Sequence, residues 1–232
     1  MKAQSAVVDV IVPAAGVGSR MGASVPKQYL NLSDNITIIE ATLNALHKCV
    51  GISKLIVAIS PEDKIFKTLP CASLPKVITV FGGRERSDTV RLALSHVETP
   101  YVMVHDAARP FISIKDLESL LELCHKDVCG GILASPVADT LKQAFDGIIK
   151  KTVDRSCLYR ALTPQLFKTS ELLEALNYAK SKGFNVTDEA SALELMGAHP
   201  VIVKGESTNF KITHPEDLNL ARALYKFKEN LQ

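Results

Sequence analysis

Val7-Val8-Asp9-Val10-Ile11-Val12-Pro13-Ala14-Ala15-Gly16-Val17-Gly18-Ser19-Arg20-Met21-Gly22 is the stretch that decides the fold, and Pro26-Lys27-Gln28 follows closely. An apolar run over 7–12 reads as a buried strand, and it breaks into a loop of small residues. Such residues let backbone N–H groups approach a ligand, and glycine reaches φ values that others avoid. Successive N–H groups in such a loop form an anion-binding concavity. The glycines alone fit an ordinary strand-to-helix turn. Arg20 and Lys27 place two cations in the same loop and point to a polyphosphate.

Two familiar phosphate loops do not fit. The P-loop requires G-x-x-x-x-G-K-[ST], and no Gly-Lys pair followed by Ser or Thr occurs. The dinucleotide fingerprint requires G-x-G-x-x-G and an acid at the end of the next strand. Gly16 and Gly18 match, but Gly22 falls one place late, and the second strand ends Ala58-Ile59-Ser60-Pro61 without an acid. A Rossmann oxidoreductase is excluded on both counts.

Outward from the loop, apolar strands at 54–59, 77–81, 101–104, 131–134 and 201–203 alternate with amphipathic helices. The helices read as 38–49, 88–97, 114–125, 170–182, 189–196 and 215–231. In the third, Ile114, Leu117, Leu120, Leu121 and Cys124 share one face. Ser113 with Asp116 resembles a capping box, and Thr213 with Glu216 is a closer match. Continuous apolar strands alternating with helices imply a Rossmann-like α/β fold in three layers. Its central sheet is mostly parallel and covered by helices on both faces. In such sheets ligands bind beyond the carboxyl ends of the strands, the edge at which the opening loop lies.

One segment breaks the alternation. Residues 138–155 read as a β-hairpin turning at Asp146-Gly147, a favoured two-residue turn. An isolated hairpin is marginal in water, so it must pack on its own chain or on a partner's hairpin. The chain of 232 residues reads as a single domain over 1–232 with this projecting arm.

Composition narrows the class. A net charge of +2 argues against nucleic-acid binding, which needs a basic stripe. No apolar stretch of about 20 residues is present to span a bilayer. The early apolar run, broken by Asp9 and Pro13, does not read as a signal peptide. Five cysteines, an odd number without a C-x-x-C pair, fit a reduced, cytoplasmic setting.

Three further segments carry chemistry. Tyr101-Val-Met-Val-His105-Asp106-Ala107-Ala108-Arg109-Pro110 puts Asp106 where a strand reaches the ligand edge. Mg²⁺ favours one or two carboxylates completed by water and substrate phosphates, a role Asp106 suits. Capping of the following turn, or pairing with Arg109, explains the same residue. His105 at a strand end reads as structural. Phe81-Gly82-Gly83-Arg84-Glu85-Arg86-Ser87-Asp88-Thr89 leads from a strand into a helix and offers backbone and hydroxyl groups to a base or ribose. Taken alone, the segment reads better as a plain N-cap at Ser87 or Asp88. Asp139-Thr140 opens the hairpin and Asp154-Arg155 closes it, and Lys211 precedes a helix N-terminus, where anions are favoured. Arg155 and Lys211 could clamp a second phosphate, although singly each reads as a solvated cation. With no Ser-His-acid arrangement or H-E-x-x-H pair in sight, the motifs suit a nucleophile that needs no base. A phosphate monoester is already anionic at neutral pH.

Taken in order, P-A-A-G-x-G-x-R-M, P-K-Q-Y, the Gly-Gly segment, H-D-A-A-R-P, V-D-R, A-L-T-P-Q, T-D-E-A-S-A-L-E and N-F-K-I-T-x-P-E-D-L closely resemble the 2-C-methyl-D-erythritol 4-phosphate cytidylyltransferase family over essentially the whole chain. The resemblance implies a Mg²⁺-dependent (or other divalent-cation-dependent) transfer from the co-substrate CTP to methylerythritol phosphate in the non-mevalonate isoprenoid pathway. It implies that Arg20 and Lys27 stabilise charge on the α-phosphate and that Asp106 faces the metal. Ala14, Ala15, Gly16, Gly18, Gly82, Gly83, Thr89 and Ala107 would bind the nucleotide. Thr140, Arg155 and Lys211 would position the sugar phosphate, with Arg109, Thr163 and Thr187 as further carry-overs. It further implies a homodimer in which the arm crosses to the partner, so that Thr140 and Arg155 serve the partner's site. The chain departs from the family pattern at Arg84, where an acid often follows the Gly-Gly pair, and at Thr89, where Ser is common. A ribitol 5-phosphate cytidylyltransferase and a catalytically silent nucleotide-binding module are the competing readings. The Ala107-Ala108 pair and residues 187–194 favour the first family over the ribitol enzyme, and the intact Arg20, Lys27 and Asp106 argue against the silent module.

Overall fold

The structure, a computed structural model, describes residues 6–16 and 25–230. Arg20 and Gly18 therefore lie outside the described residues. In chain order the strands are β1 (Val8–Pro13), β2 (Asn31–Ser33), β3 (Ile36–Thr37), β4 (Ile52–Ile59), β5 (Val77–Phe81), β6 (Tyr101–Val104), β7 (Gly130–Pro136), β8 (Leu141–Phe145), β9 (Ile148–Val153), β10 (Tyr159–Lys168) and β11 (Val201–Lys204). The helices are α1 (Ile38–His47), α2 (Arg86–Ala93), α3 (Ile114–Leu121), α4 (Thr169–Lys182), α5 (Glu189–Glu194) and α6 (Pro215–Glu229).

Among the described residues the main sheet has seven strands in the order β11-β7-β10-β6-β1-β4-β5. The pairs β1/β4, β4/β5, β1/β6 and β7/β11 are parallel, while β10 runs antiparallel to both β6 and β7. The expected three-layer, mostly parallel architecture is thus present, with one antiparallel strand near the middle that the sequence pattern did not reveal. Apart from the buried Asp9, β1 is apolar on both faces because both are covered. Val8, Val10 and Val12 join a core with Leu43 and Leu46 of α1 and Leu117 and Leu120 of α3. Ile11 joins the opposite core with Val90 of α2 and Leu172 and Leu176 of α4. Each such side chain, fully buried, contributes roughly 1.5–3 kcal/mol.

Helix boundaries follow local chemistry. Thr37 and Glu40 form a full capping box at α1, and Ser113 caps α3 by accepting from the Asp116 N–H. At α6 the expected Thr213–Glu216 pairing is displaced by one residue. His214 is the N-cap, and the Asp217 carboxylate accepts from the Thr213 and His214 N–H groups. Asp217 wins because its carboxylate reaches both orphan donors at once. Likewise α2 starts from Glu85 rather than from Ser87 or Asp88.

The hairpin β8–β9 forms its own two-stranded sheet, bounded as its sequence suggests. Asp146 and Gly147 both have positive φ, 48° and 76°, as a two-residue hairpin turn requires. Phe145, Ile148 and Ile149 at its tip are 60–70% exposed.

The switch of strand order falls between β1 and β6. From β1 the chain winds through β4 and β5 on one side, then returns to place β6 on the other. Ile11 pairs with Val104, so the segments after Pro13 and after Val104 leave the sheet side by side. A crevice beyond the carboxyl ends of two diverging strands is the general ligand site of such sheets.

Candidate active site

A cavity of about 290 Å³ opens at this switch point. Its floor is Ala14, Ala15 and Gly16 after β1, facing Asp106, Ala107 and Ala108 after β6. Gly83, Arg84, Glu85, Arg86 and Thr89 form one wall, and Lys27, Gln28, Lys211 and Thr213 form the other. Most of the residues expected around the nucleotide are therefore brought together.

The wall after β5 is fixed by Thr89, whose hydroxyl accepts from the Gly83 N–H at 3.0 Å and donates to the Glu85 carbonyl at 3.0 Å. That side chain, 2% exposed, shapes the loop in the free chain. Gly82 lies behind the wall. A Cβ there would sit 2.7 Å from the Ala15 Cβ and 2.8 Å from the Thr89 Cγ2, so any larger residue would push the two loops apart.

The opposite wall is held from β1. The buried Gln28 amide donates to the carbonyl oxygens of Ala14 (2.8 Å) and Gly16 (3.3 Å), which draws the short 3₁₀ turn Lys27–Tyr29 against the loop. Lys27 Nζ donates to the Ile212 carbonyl at 2.8 Å. Residues 209–213 are stitched to the segment after β6. Ile212 N–H donates to the Ala108 carbonyl at 2.9 Å, and Arg109 Nη1 donates to the Asn209 carbonyl at 2.9 Å.

Asp106 is the centre of charge. It is 6% exposed, and its carboxylate meets three cations. Arg86 Nε lies 3.1 Å from Oδ1, while Lys211 Nζ (3.0 Å) and Arg109 Nε (3.2 Å) converge on Oδ2. Burial alone would raise its pKa, but Arg86, Lys211 and Arg109 outweigh burial and hold it well below the usual carboxylate range. The pairing with Arg109 is real, and so is the exposure of Asp106 to the cavity; the two readings of this residue were not exclusive.

His105 is fully buried and structural, as its position suggested. Its Nε2 faces the Arg109 carbonyl at 3.0 Å, so that nitrogen must carry the proton. Nδ1 then accepts from the Thr163 hydroxyl at 3.1 Å, which itself accepts from the Asp106 N–H at 3.0 Å. Burial pushes the His105 pKa down to about 4. Thr163 and Arg109 are both buried behind the cavity and brace Asp106. Thr187 is exposed and bonds Ser191 near the start of α5. Thr140 and Arg155 are exposed on the arm, outside the lining of this chain's own cavity.

Sequence reasoning passed over Arg86 and Glu189. Arg86 Nη1 and Nη2 grip the two Glu189 oxygens at 2.7 and 3.0 Å while its Nε reaches Asp106. Burial would lower the Arg86 pKa, but Glu189 and Asp106 outweigh it and hold the guanidinium firmly charged. The available signal was a glutamate at the head of a helix whose first turns are otherwise small or apolar, Glu189-Ala190-Ser191-Ala192-Leu193.

Among the described residues no group of three or more His, Cys, Asp or Glu could hold a metal ion. A single buried carboxylate with open space for phosphates nevertheless fits a Mg²⁺ ion ligated mostly by its substrate. Among the described residues no helix is long and apolar enough to cross a membrane.

A cation-lined crevice at the switch point of a mostly parallel sheet, with one buried carboxylate in its lining, suits charge neutralisation on a nucleotide's phosphates, and this marks the nucleotidyltransferases of α/β fold. Residues 8–226 match the family model described as 2-C-methyl-D-erythritol 4-phosphate cytidylyltransferase, and the chain belongs to that family. Its relatives include the protein of that name from Vibrio vulnificus (strain YJ016), 48% identical over 217 residues, covering 91% of either chain. Another, from Hahella chejuensis, is 47% identical over 218 residues, covering 91% of this chain and 90% of its own. Among solved structures, the Thermus thermophilus enzyme of that name superposes with a TM-score of 0.81 at 34% identity, covering 95% of this chain and 99% of the other. The Francisella tularensis enzyme superposes with 0.78 at 34% identity, covering 93% and 98%.

Proposed function

We propose that the chain transfers the cytidylyl group of CTP to 2-C-methyl-D-erythritol 4-phosphate, releasing pyrophosphate, in the non-mevalonate route to isoprenoids. The observation that carries this reading is the crevice in which Lys211 and Arg86 meet Asp106, with Lys27 in the same lining, beside the backbone of residues 14–16. An oxygen of the phosphate monoester attacks the α-phosphorus, a new P–O bond forms, and the bond to the β-phosphate bridging oxygen breaks. The attacking oxygen is already anionic, which agrees with a cavity whose histidine neighbour is sealed behind it. Alignment and fixed positive charge supply the catalysis. Lys27, with Arg20 from the opening loop, neutralises charge growing on the α-phosphate. Asp106 would hold Mg²⁺ or another divalent cation, which supplies charge neutralisation on the phosphates when bound. Lys211 meets the sugar phosphate.

The arm is the dimerisation element in this reading. Its apolar tip is exposed, and Thr140 and Arg155 stand away from their own cavity, which supports their serving a partner's site in a homodimer. The chain is one domain, 1–232, with the arm at 138–155. Five unpaired cysteines suit the reducing cytoplasm.

The test is pyrophosphate release from CTP with methylerythritol 4-phosphate and Mg²⁺, alongside ribitol 5-phosphate, UTP and ATP. Release that depends on both CTP and the methylerythritol phosphate is expected. Equal or greater release with ribitol 5-phosphate, or none with either sugar phosphate, would overturn the proposal.

A further inference from the structure

Glu189 has no place in the reaction outlined above, yet it is a carboxylate only 1% exposed. A carboxylate so deep needs a partner, and it has one: the two terminal nitrogens of Arg86. Its backbone position is over-determined. Asp188 caps α5 by accepting from the Ser191 N–H at 3.0 Å, and Gln165 of β10 ties Asp188 at 2.8 Å and the Ala190 N–H at 2.9 Å. Glu189 stands behind Arg86, outside the cavity lining, whereas Arg86 lines the cavity.

The consequence lies in how a guanidinium divides its donors. With Nη1 and Nη2 committed to Glu189, Arg86 has only Nε left for Asp106. Around Asp106 stand three cations, and Glu189 is the second carboxylate among them. Without it, three cations would face one carboxylate, and the Arg86 fork would turn onto Asp106 as the bidentate pair that this geometry favours. Asp106 would then be more completely neutralised from the Oδ1 side.

We propose that Glu189 is a positioning residue that restrains Arg86, so that Asp106 receives only one hydrogen bond from Arg86 and keeps enough negative charge to receive a divalent cation with the nucleotide. This inference rests on the functional reading above. It assigns the restraint to a residue that touches no substrate.

Calorimetric titration of CTP, metal-free in chelator and as its Mn²⁺ complex, measures the metal-dependent gain in affinity without turnover. In Glu189→Gln the metal-free affinity should match wild type, the metal-dependent gain should shrink about tenfold, and kcat should fall roughly 10- to 100-fold. In Arg86→Gln/Glu189→Gln no cation is released onto Asp106, so the metal-dependent gain should return to at least the wild-type value while kcat stays low. An unchanged gain in the single variant overturns the proposal. So does a parallel loss for both forms of CTP, which marks a merely structural role. Should the single variant not fold, a double variant with a gain below wild type is equally decisive. A wild-type chain that binds CTP but does not use it with methylerythritol phosphate overturns the functional reading instead, a result that the variants cannot mimic.

Discussion

In the proposed reaction Lys27 and Asp106 divide the chemistry at the level of single side chains, and only part of that division is written locally in the sequence. Lys27 sits beside the opening loop, and its ammonium already lies 2.8 Å from the Ile212 carbonyl, so little reorganisation is needed to meet a phosphate. Replacing it with alanine should lower turnover about 100- to 1,000-fold with the circular dichroism spectrum retained. Near-normal turnover in that variant would remove Lys27 from the mechanism. Asp106 and the residues after β1 were legible because a strand end announces itself where an apolar run gives way to polar or small residues, and Lys211 because it precedes a helix N-terminus. The grip of Arg86 on Glu189 was not, because the two are 103 positions apart and sequence does not say which buried charge meets which. Thr89 was legible as a hydroxyl at the right place, but its engagement with its own loop depends on the backbone path of 83–85.

The elements were legible where both faces of a strand are apolar. β5 and β6 have the expected limits, and β1, β4, β7 and β11 differ only at their ends. β10 escaped because it carries Arg160, Thr163, Pro164 and Gln165 in its middle. Proline is confined to edges and bulges in sheets, and here the ladder with β7 is irregular between Ala161 and Gln165, which accommodates Pro164. The polar residues that hid the strand brace the site: Thr163 supports Asp106 and Gln165 anchors α5. The arm, by contrast, was readable from its Asp-Gly turn alone. If it serves a neighbouring copy, Lys27→Ala and Arg155→Ala proteins are each impaired, but their mixture regains part of the activity. In a two-fold dimer that exchanges subunits freely, about a quarter of the sites would be intact. Steady-state assay of the mixture checks this, and an unrescued mixture would return Arg155 to its own subunit's site or to none.

The molecule as a whole should respond to acid through its buried imidazole. His105 has a folded-state pKa of about 4, below its ordinary value of about 6.5. Between those values the unfolded chain binds more protons than the folded one, so stability rises with pH across that window. It is fully present above pH of about 6.5 and is lost as pH falls toward 4, a loss of about 3 kcal/mol. Asp106, depressed by its cations, withdraws its own contribution only at more acid pH. Thermal melts of metal-free protein from pH 7 to pH 4 should therefore decline steadily, and a flat profile would contradict the buried neutral ring.

The stitching of residues 209–213 onto the segment after β6 carries a consequence for biosynthesis. Asp106 and Arg109 emerge early from the ribosome, whereas Lys211, the Asn209 carbonyl and the Ile212 carbonyl follow about a hundred codons later. Until that late stretch has been translated, the sheet's inner strands can assemble while the crevice lacks the Lys211 and Thr213 part of one wall. A growing polypeptide thus lacks the complete crevice through most of its elongation, and the last of the lining arrives in a single late step.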